Sequence, residues 1–210
     1  LTYLMDSDEV TAAKPNFLEP HGWVDLGMQE TSLAGRYFLT TGSGKYMRNV
    51  LEDPAHNIGI VEINDSGTAY RIVWGLLNGA KPTSEFPTHC MNHAARLEAD
   101  PSNRVIYHSI IEMSNLVELD DRTFSRILWK MMTECVVVFP QGVGVVPWMV
   151  PGGVDIAKAT SKLMKKYPAA VWAQHGLFAS GSDFDTAFGL AHTIEKAAEL
   201  YIPCCKRWIG

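Results

Sequence analysis

The chain is poor in several things, and each shortage removes a class of function. It has 4 cysteines in 210 residues, Cys90, Cys135, Cys204 and Cys205, without the paired spacing of a zinc ribbon; the adjacent Cys204 and Cys205 form no CxxC pair. Such usage fits reduced thiols in a cytoplasmic protein rather than a disulfide-stapled secreted one. Positive charge is also scarce: 18 Lys and Arg stand against 23 Asp and Glu, a formal net charge of -5. No basic surface is expected, and nucleic acid and anionic membranes are poor candidates as partners. No apolar run approaches the roughly 18 residues of a membrane span, and no signal peptide, repeat or low-complexity linker is visible. Gly42-Ser43-Gly44-Lys45 lacks the second glycine and the gap of a Walker A loop, so nucleotide binding is not supported.

What is present is a chain with 47% hydrophobic residues, enough to bury a substantial core as one domain over residues 1–210. Residues 1–30 contain Pro15, Pro20 and Gly22 and read as a long loop. Gly35 to Thr41 reads as a strand running into the glycine-serine turn, which can aim backbone N–H groups and a hydroxyl at an anion. Two apolar runs, Asn57 to Ile63 and Thr68 to Trp74, flank Asp65-Ser66-Gly67 and predict a hairpin. Arg104 to His108 and Ala169 to Trp172 are short strands, and Cys135 to Pro140 is a continuous β-branched run of the kind buried on both faces. Glu134 stands at its entrance. Helices are expected over Arg122 to Met132, Val154 to Tyr167 and Asp183 to Trp208. Interleaved strands and helices predict a layered α/β/α fold around a mixed, largely antiparallel sheet.

The most informative stretch is Lys81 to His93. Pro82 breaks the preceding segment, Thr83 and Ser84 are N-cap types, and Phe86, Cys90, Ala94 and Leu97 repeat at helical spacing, which places Glu85 in a first helical turn. A carboxylate there is ordinarily an electrostatic partner of the helix dipole. Its company argues for more: His108 closes one strand and His175 follows another, and a carboxylate with strand-end histidines can assemble a metal-assisted carbonyl site. His89 and His93, one turn apart on the same helix, lack the HExxH order and read as structural, as do His21, His56 and His192. Trp148 and Met149, between prolines, read as core or subunit contact.

Four blocks carry a resemblance: TGSGKYMRNV (41–50), PTSEFPTH (82–89), TECVVVFPQGVGVVPWMVPG (133–152) and QHGLFASG (174–181). In this order they resemble the class II aldolase/adducin family, over nearly the whole chain. The block ending in PWMVPG points to the branch acting on L-rhamnulose 1-phosphate more than to its fuculose or ribulose relatives. The resemblance implies a zinc-dependent, reversible cleavage of that phosphorylated ketose to dihydroxyacetone phosphate and L-lactaldehyde by a cyclic homotetramer. It implies Glu85 as the catalytic acid/base, His108 and His175 as zinc ligands, and Ser43, Gly44, Thr83 and Ser84 as holders of the phosphate. Glu134 would match an acidic residue presented to a neighbouring subunit's site. Two other readings share the fold: a sugar-phosphate epimerase, and a non-catalytic interaction module of the adducin kind.

The chain departs from the family pattern in two places. The family carries His-x-His at the strand end, whereas His108 is followed here by Ser109-Ile110-Ile111, a few residues short of the family's spacing to the LDDRTF segment. The family also opens with a helix and a glycine-asparagine turn that supply further phosphate ligands, and nothing matching precedes Leu1; it normally continues past Gly210. These departures imply either lost activity or a sequence lacking residues that the whole protein has at these edges. The second is the expectation, because the losses fall on active-site edges while the other blocks survive.

Overall fold

Alternation of side chains decides the architecture, and a computed structural model of the chain describes residues 1–109 and 119–206. In chain order the elements are β1 (Thr2–Leu4), α1 (Ser7–Ala13), β2 (Val24–Asp25), β3 (Tyr37–Thr41), α2 (Pro54–Asn57), β4 (Ile58–Ile63), β5 (Ala69–Gly75) and α3 (Phe86–Ala99). They continue with β6 (Val105–Ser109), α4 (Asp121–Met131), α5 (Glu134–Val138), β7 (Gly144–Val146), α6 (Val154–Met164), β8 (Ala169–Trp172), β9 (Gly176–Gly181) and α7 (Phe184–Lys206). The strands form one 9-stranded sheet in the order β2-β5-β4-β3-β1-β6-β9-β8-β7. Every neighbouring pair is antiparallel except β7 and β8, so the sheet is mixed and largely antiparallel, as expected.

Residues of β8 and β9 point alternately to two cores, as a period of two requires. Ala169, Val171, Leu177 and Ala179 enter a cluster with Phe124 and Leu128 of α4, Cys135 of α5 and Ile194 of α7. Ala170, Trp172 and Phe178 enter the opposite cluster with Ala95 of α3 and Ile156 and Met164 of α6. A third cluster joins Phe38, Val61 and Ile72 to Phe86 and Cys90 of α3. Each fully buried aromatic or aliphatic side chain contributes about 1.5–3 kcal/mol, so the central strands are fixed from both faces. The two outer layers of helices therefore hold the β6–β9 seam rigidly.

The predicted hairpin forms, with β4 pairing β5 and Gly67 at φ 69 in the turn. Two expectations fail. Residues 1–30 are not a loop: β1 lies between β3 and β6 in the sheet, and α1 begins with a capping box in which the Asp6 side chain accepts from the Asp8 and Glu9 amides and Glu9 caps Asp6 in return. Three strand residues are too few to show alternation, and Pro15 falls only after α1 ends, so the prolines misled. Cys135 to Pro140 is not a buried strand either; it holds helix α5. Cys135 and Phe139 are buried one turn apart while Val136, Val137 and Val138 are exposed, which is helical periodicity hidden under β-branched residues. Glu134 is thus the first residue of a helix rather than the entrance to a strand.

Candidate functional site

The site forms where strand ends meet the start of α3. The N-cap position of α3 is occupied by Glu85 itself, at φ -90 and ψ 13, and Thr83 and Ser84 lie before it rather than capping. Glu85 makes no side-chain capping bond. The residue is 8% exposed, and its Oε2 has no hydrogen-bond partner among the described residues. Burial raises its pKa, with the nearby His175 and the Gly152 backbone pulling the other way.

His108 sits on β6 and His175 in the turn between β8 and β9. Their imidazoles stack with centroids 5.2 Å apart and planes 9° from parallel, and their Nε2 atoms face each other at 3.2 Å. His108 Nδ1 lies 3.0 Å from the Leu177 carbonyl, which accepts its proton and leaves Nε2 as the lone-pair nitrogen. Burial pulls the pKa of His108 down to about 3, so this imidazole is neutral at ordinary pH. Two sequence features make the approach possible. Gly176 pairs alongside, and a Cβ there would meet Ser109 O at 2.3 Å and His108 Cε1 at 3.2 Å. Gln174 holds φ 55, a left-handed conformation uncommon for a non-glycine residue, in the turn that swings His175 toward His108.

A cleft of about 410 Å³ opens over these groups and is lined by Gly44, Thr83, Ser84, Glu85, His108 and His175, with Thr41, Gly42, Lys45, Met47, Tyr107 and Ser109 among its other walls. Six of the eight predicted site residues therefore converge. Ser43 does not line the cleft: it lies between two residues that do, its side chain is exposed, and its amide donates to the Lys81 carbonyl. Glu134 is exposed on α5, outside this cleft, with Thr133 donating to its carboxylate at 3.3 Å. Sequence reasoning gave no role to Lys45, Met47, Tyr107 or Ser109. Tyr107 and Ser109 flank His108 on β6, and strand alternation places both side chains on the face opposite His108, so no local pattern marks them as site residues. A wider groove of about 780 Å³ lies over Met91, Ala94 and Glu98, but it contains no histidine and no buried carboxylate.

The pair fits a metal. Two imidazole nitrogens on one tetrahedral zinc, each at about 2.0–2.1 Å, stand roughly 3.3–3.4 Å apart, close to the observed 3.2 Å. A bond from Nδ1 to a carbonyl is also how metal-ligating histidines are usually oriented. Among the described residues no group of three His, Cys, Asp or Glu could hold the ion, and the position where the family pattern has its second strand-end histidine, Ile110, lies outside them. Of the histidines expected to be structural, His56 pairs with Asp53, His192 stacks on Phe188, and His89 and His93 are both tied to the Thr2 hydroxyl, all outside this cleft. Trp148 is 67% exposed, which removes the core half of its expected role.

Residues 9–202 match the family described as Class II Aldolase and Adducin N-terminal domain. The chain is 46% identical over 208 residues to a rhamnulose-1-phosphate aldolase of Listeria innocua serovar 6a, covering 96% of this chain and 75% of that one. It is 43% identical over 212 residues to a rhamnulose-1-phosphate aldolase of Enterococcus faecalis, with 98% and 75% covered. The crystal structure of a sugar-phosphate aldolase from Thermotoga maritima superimposes with a TM-score of 0.78 at 29% identity, covering 98% of this chain and 84% of that one. By its layered sheet and by these matches, the chain belongs to the class II aldolase and adducin N-terminal domain family.

Proposed function

We propose that the chain is a metal-dependent aldolase that reversibly cleaves L-rhamnulose 1-phosphate to dihydroxyacetone phosphate and L-lactaldehyde. The observation that carries this reading is the facing of two imidazole nitrogens at 3.2 Å beside a buried carboxylate whose Oε2 has no partner among the described residues, in one cleft. The relatives' names supply the substrate.

Breaking the carbon–carbon bond next to a ketone leaves an enediolate whose charge must be stabilised as it forms. A zinc ion held by His108 and His175 would supply that stabilisation as a Lewis acid. His108 is suited to the task because it is held neutral with its lone pair aimed at His175. Glu85 moves the proton at the carbon of the enediolate. Burial raises the pKa of its carboxyl toward the working pH, which favours a group that must both give and take a proton. The Gly44 turn and the hydroxyls of Thr83 and Ser84 receive the phosphate, with Ser43 at the edge, and neutral donors suffice because turn amides concentrate positive potential. Lys45, in the same wall, adds a cation that the phosphate can meet.

Exposed Val136, Val137, Val138, Trp148 and Val150 leave apolar surface that suits contact between copies, and the homotetramer implied by the family would place Glu134 against a neighbour's cleft. The test is dihydroxyacetone phosphate release from L-rhamnulose 1-phosphate by the zinc-loaded chain. Release that follows zinc content supports the reading; zinc bound in full with no product released overturns it, and inversion of the substrate without release assigns an epimerase instead.

A further inference from the structure

The two imidazoles of the site are not secured in the same way. His108 has a hydrogen bond behind it, from Nδ1 to the Leu177 carbonyl, and Phe178 stacks on its face at 4.1 Å and 16°. His175 shows no such anchor among the described residues; its hydrogen-bonding contact is with His108 itself. A histidine that serves a metal usually has its second ring nitrogen held by a carbonyl or carboxylate, and without one the ring is free to turn about its Cβ–Cγ bond. What meets the His175 ring instead is the indole of Trp172, at 5.2 Å and 41°. The same indole meets His108 at 5.8 Å and Phe178 at 4.8 Å.

Trp172 is 1% exposed, and its own orientation is set from outside the site. Its Nε1–H donates to the Thr160 hydroxyl on α6 at 2.7 Å, and that hydroxyl donates onward to the Ile156 carbonyl at 2.6 Å. The hydroxyl proton is committed to the helix, so a lone pair of Thr160 is what the indole finds. The bond is buried and has no competitor from water. An indole can fill a pocket in two ring orientations, and a single acceptor on one side selects between them.

We propose that Thr160, through Trp172, is a positioning residue that orients the His175 imidazole against His108, doing for His175 what the Leu177 carbonyl does for His108. The inference rests on the metal-dependent reading for its consequence in activity, but its geometry stands without the metal. Rotation of the indole would move the one surface that both imidazoles and Phe178 share, and the 9° alignment of the pair would be lost.

Three variants of the whole chain separate this role from packing. Thr160→Val keeps the volume and removes the acceptor, Thr160→Ser keeps the acceptor, and Trp172→Phe keeps an aromatic ring without the N–H. Zinc affinity, measured by competition with a chromophoric chelator, is expected to fall roughly 10–100-fold in Thr160→Val and Trp172→Phe and to be restored to within about twofold of the parent in Thr160→Ser. In the metal-free chain, the ring-proton resonances of His175 shift in Thr160→Val and return in Thr160→Ser. A Thr160→Val chain that melts earlier but keeps both its zinc affinity and its His175 resonances overturns the inference, as does a Thr160→Ser chain that weakens as much as the valine variant. If the parent binds no zinc, the aldolase reading fails alone. The His175 resonances then decide the positioning role: unchanged in Thr160→Val, they overturn it.

Discussion

The molecule contains two pairs of neighbouring imidazoles, and they teach opposite lessons. His89 and His93 come from successive turns of α3, are both fully buried, and share the Thr2 hydroxyl at 2.9 Å each. His108 of β6 and His175 of the turn between β8 and β9 are 67 residues apart in sequence, are only half-buried, and face each other across a cleft that also holds Glu85. A hydroxyl has one proton, so it donates to one ring of the first pair and accepts from the other; the two nitrogens that face it are closed by the protein itself, while His89 Nε2 and His93 Nδ1 lie buried in the core with no cleft before them. In the second pair the Leu177 carbonyl holds the back of His108, but the two nitrogens that face each other meet no other protein group among the described residues. Proximity of histidines is therefore no mark of a site; an unclosed pair with access and a buried acid beside it is.

That comparison is broken most severely by His175→Ala. With one of the two facing nitrogens gone, the zinc-loaded activity should fall by roughly 10⁴ or more, since the Lewis-acid term is worth several kcal/mol. The thermal midpoint of the metal-free chain should move little, because the ring is half-exposed and not part of a core. Zinc content and turnover measured together check it. Retention of both in the variant would mean that the open pair is no more functional than the closed one.

Glu85→Gln sharpens the same contrast at the acid. Proton movement by a positioned side chain contributes on the order of 10²–10⁴ in rate, so turnover should drop by that amount with zinc still bound. Stability should change in the other direction. A carboxyl whose folded pKa is raised above its unfolded value contributes stability that is present below the unfolded pKa and is lost as pH rises through the folded one. The glutamine variant should therefore melt higher than the parent at pH 7, and the gap should close on acidification toward pH 4, where the parent's Glu85 is protonated too. A variant that is both inactive and less stable at pH 7 would make Glu85 a structural carboxylate.

The open pair was legible in the sequence because each histidine follows a short β-branched or apolar run, and strand ends are where sheets present side chains to clefts. Glu85 was legible for a similar reason, since Pro82 and the spacing of Phe86, Cys90 and Ala94 locate the start of α3 within one residue. What was not legible depends on contacts between distant segments. β1 is three residues long and is defined by pairing with β3 and β6, which no local pattern announces. The α5 helix presents three exposed valines that favour strands by themselves, and it is the burial of Cys135 and Phe139 against α4 and α7 that overrides them. The face-to-face approach of His108 and His175 needs Gly176 and the left-handed Gln174, and the second of these has no sequence signature. Thr2 as the fastener of His89 and His93 was invisible because it sits on the strand that was itself missed.

The closed pair offers the smallest effect on function and a measurable one on stability. Thr2→Val removes the shared hydroxyl without changing the volume and leaves two buried imidazoles each short of a partner, a loss of about 2–3 kcal/mol, or roughly 4–12 °C in Tm. Zinc affinity and turnover should be those of the parent. The acid side of the stability curve gives a second measure. Burial pulls the pKa of both imidazoles down, that of His93 to about 3, so the folded chain binds fewer protons than the unfolded chain once pH falls below the ordinary histidine value of 6.5. Stability is thus full above pH 6.5 and is lost as pH falls, at up to about 1.4 kcal/mol per pH unit for each imidazole. The depressed aspartates, such as Asp6 and Asp120, take over only below their ordinary 3.8. Because burial rather than the hydroxyl sets the histidine shifts, Thr2→Val should lower the whole curve between pH 5 and 7 without changing its slope. A flatter slope in the variant would mean that the hydroxyl, not the core, keeps these rings neutral. A tenfold loss of zinc affinity would mean that the two pairs are coupled, through the contact of the His89 ring with Phe178 at 5.2 Å, and that the closed pair also serves the site.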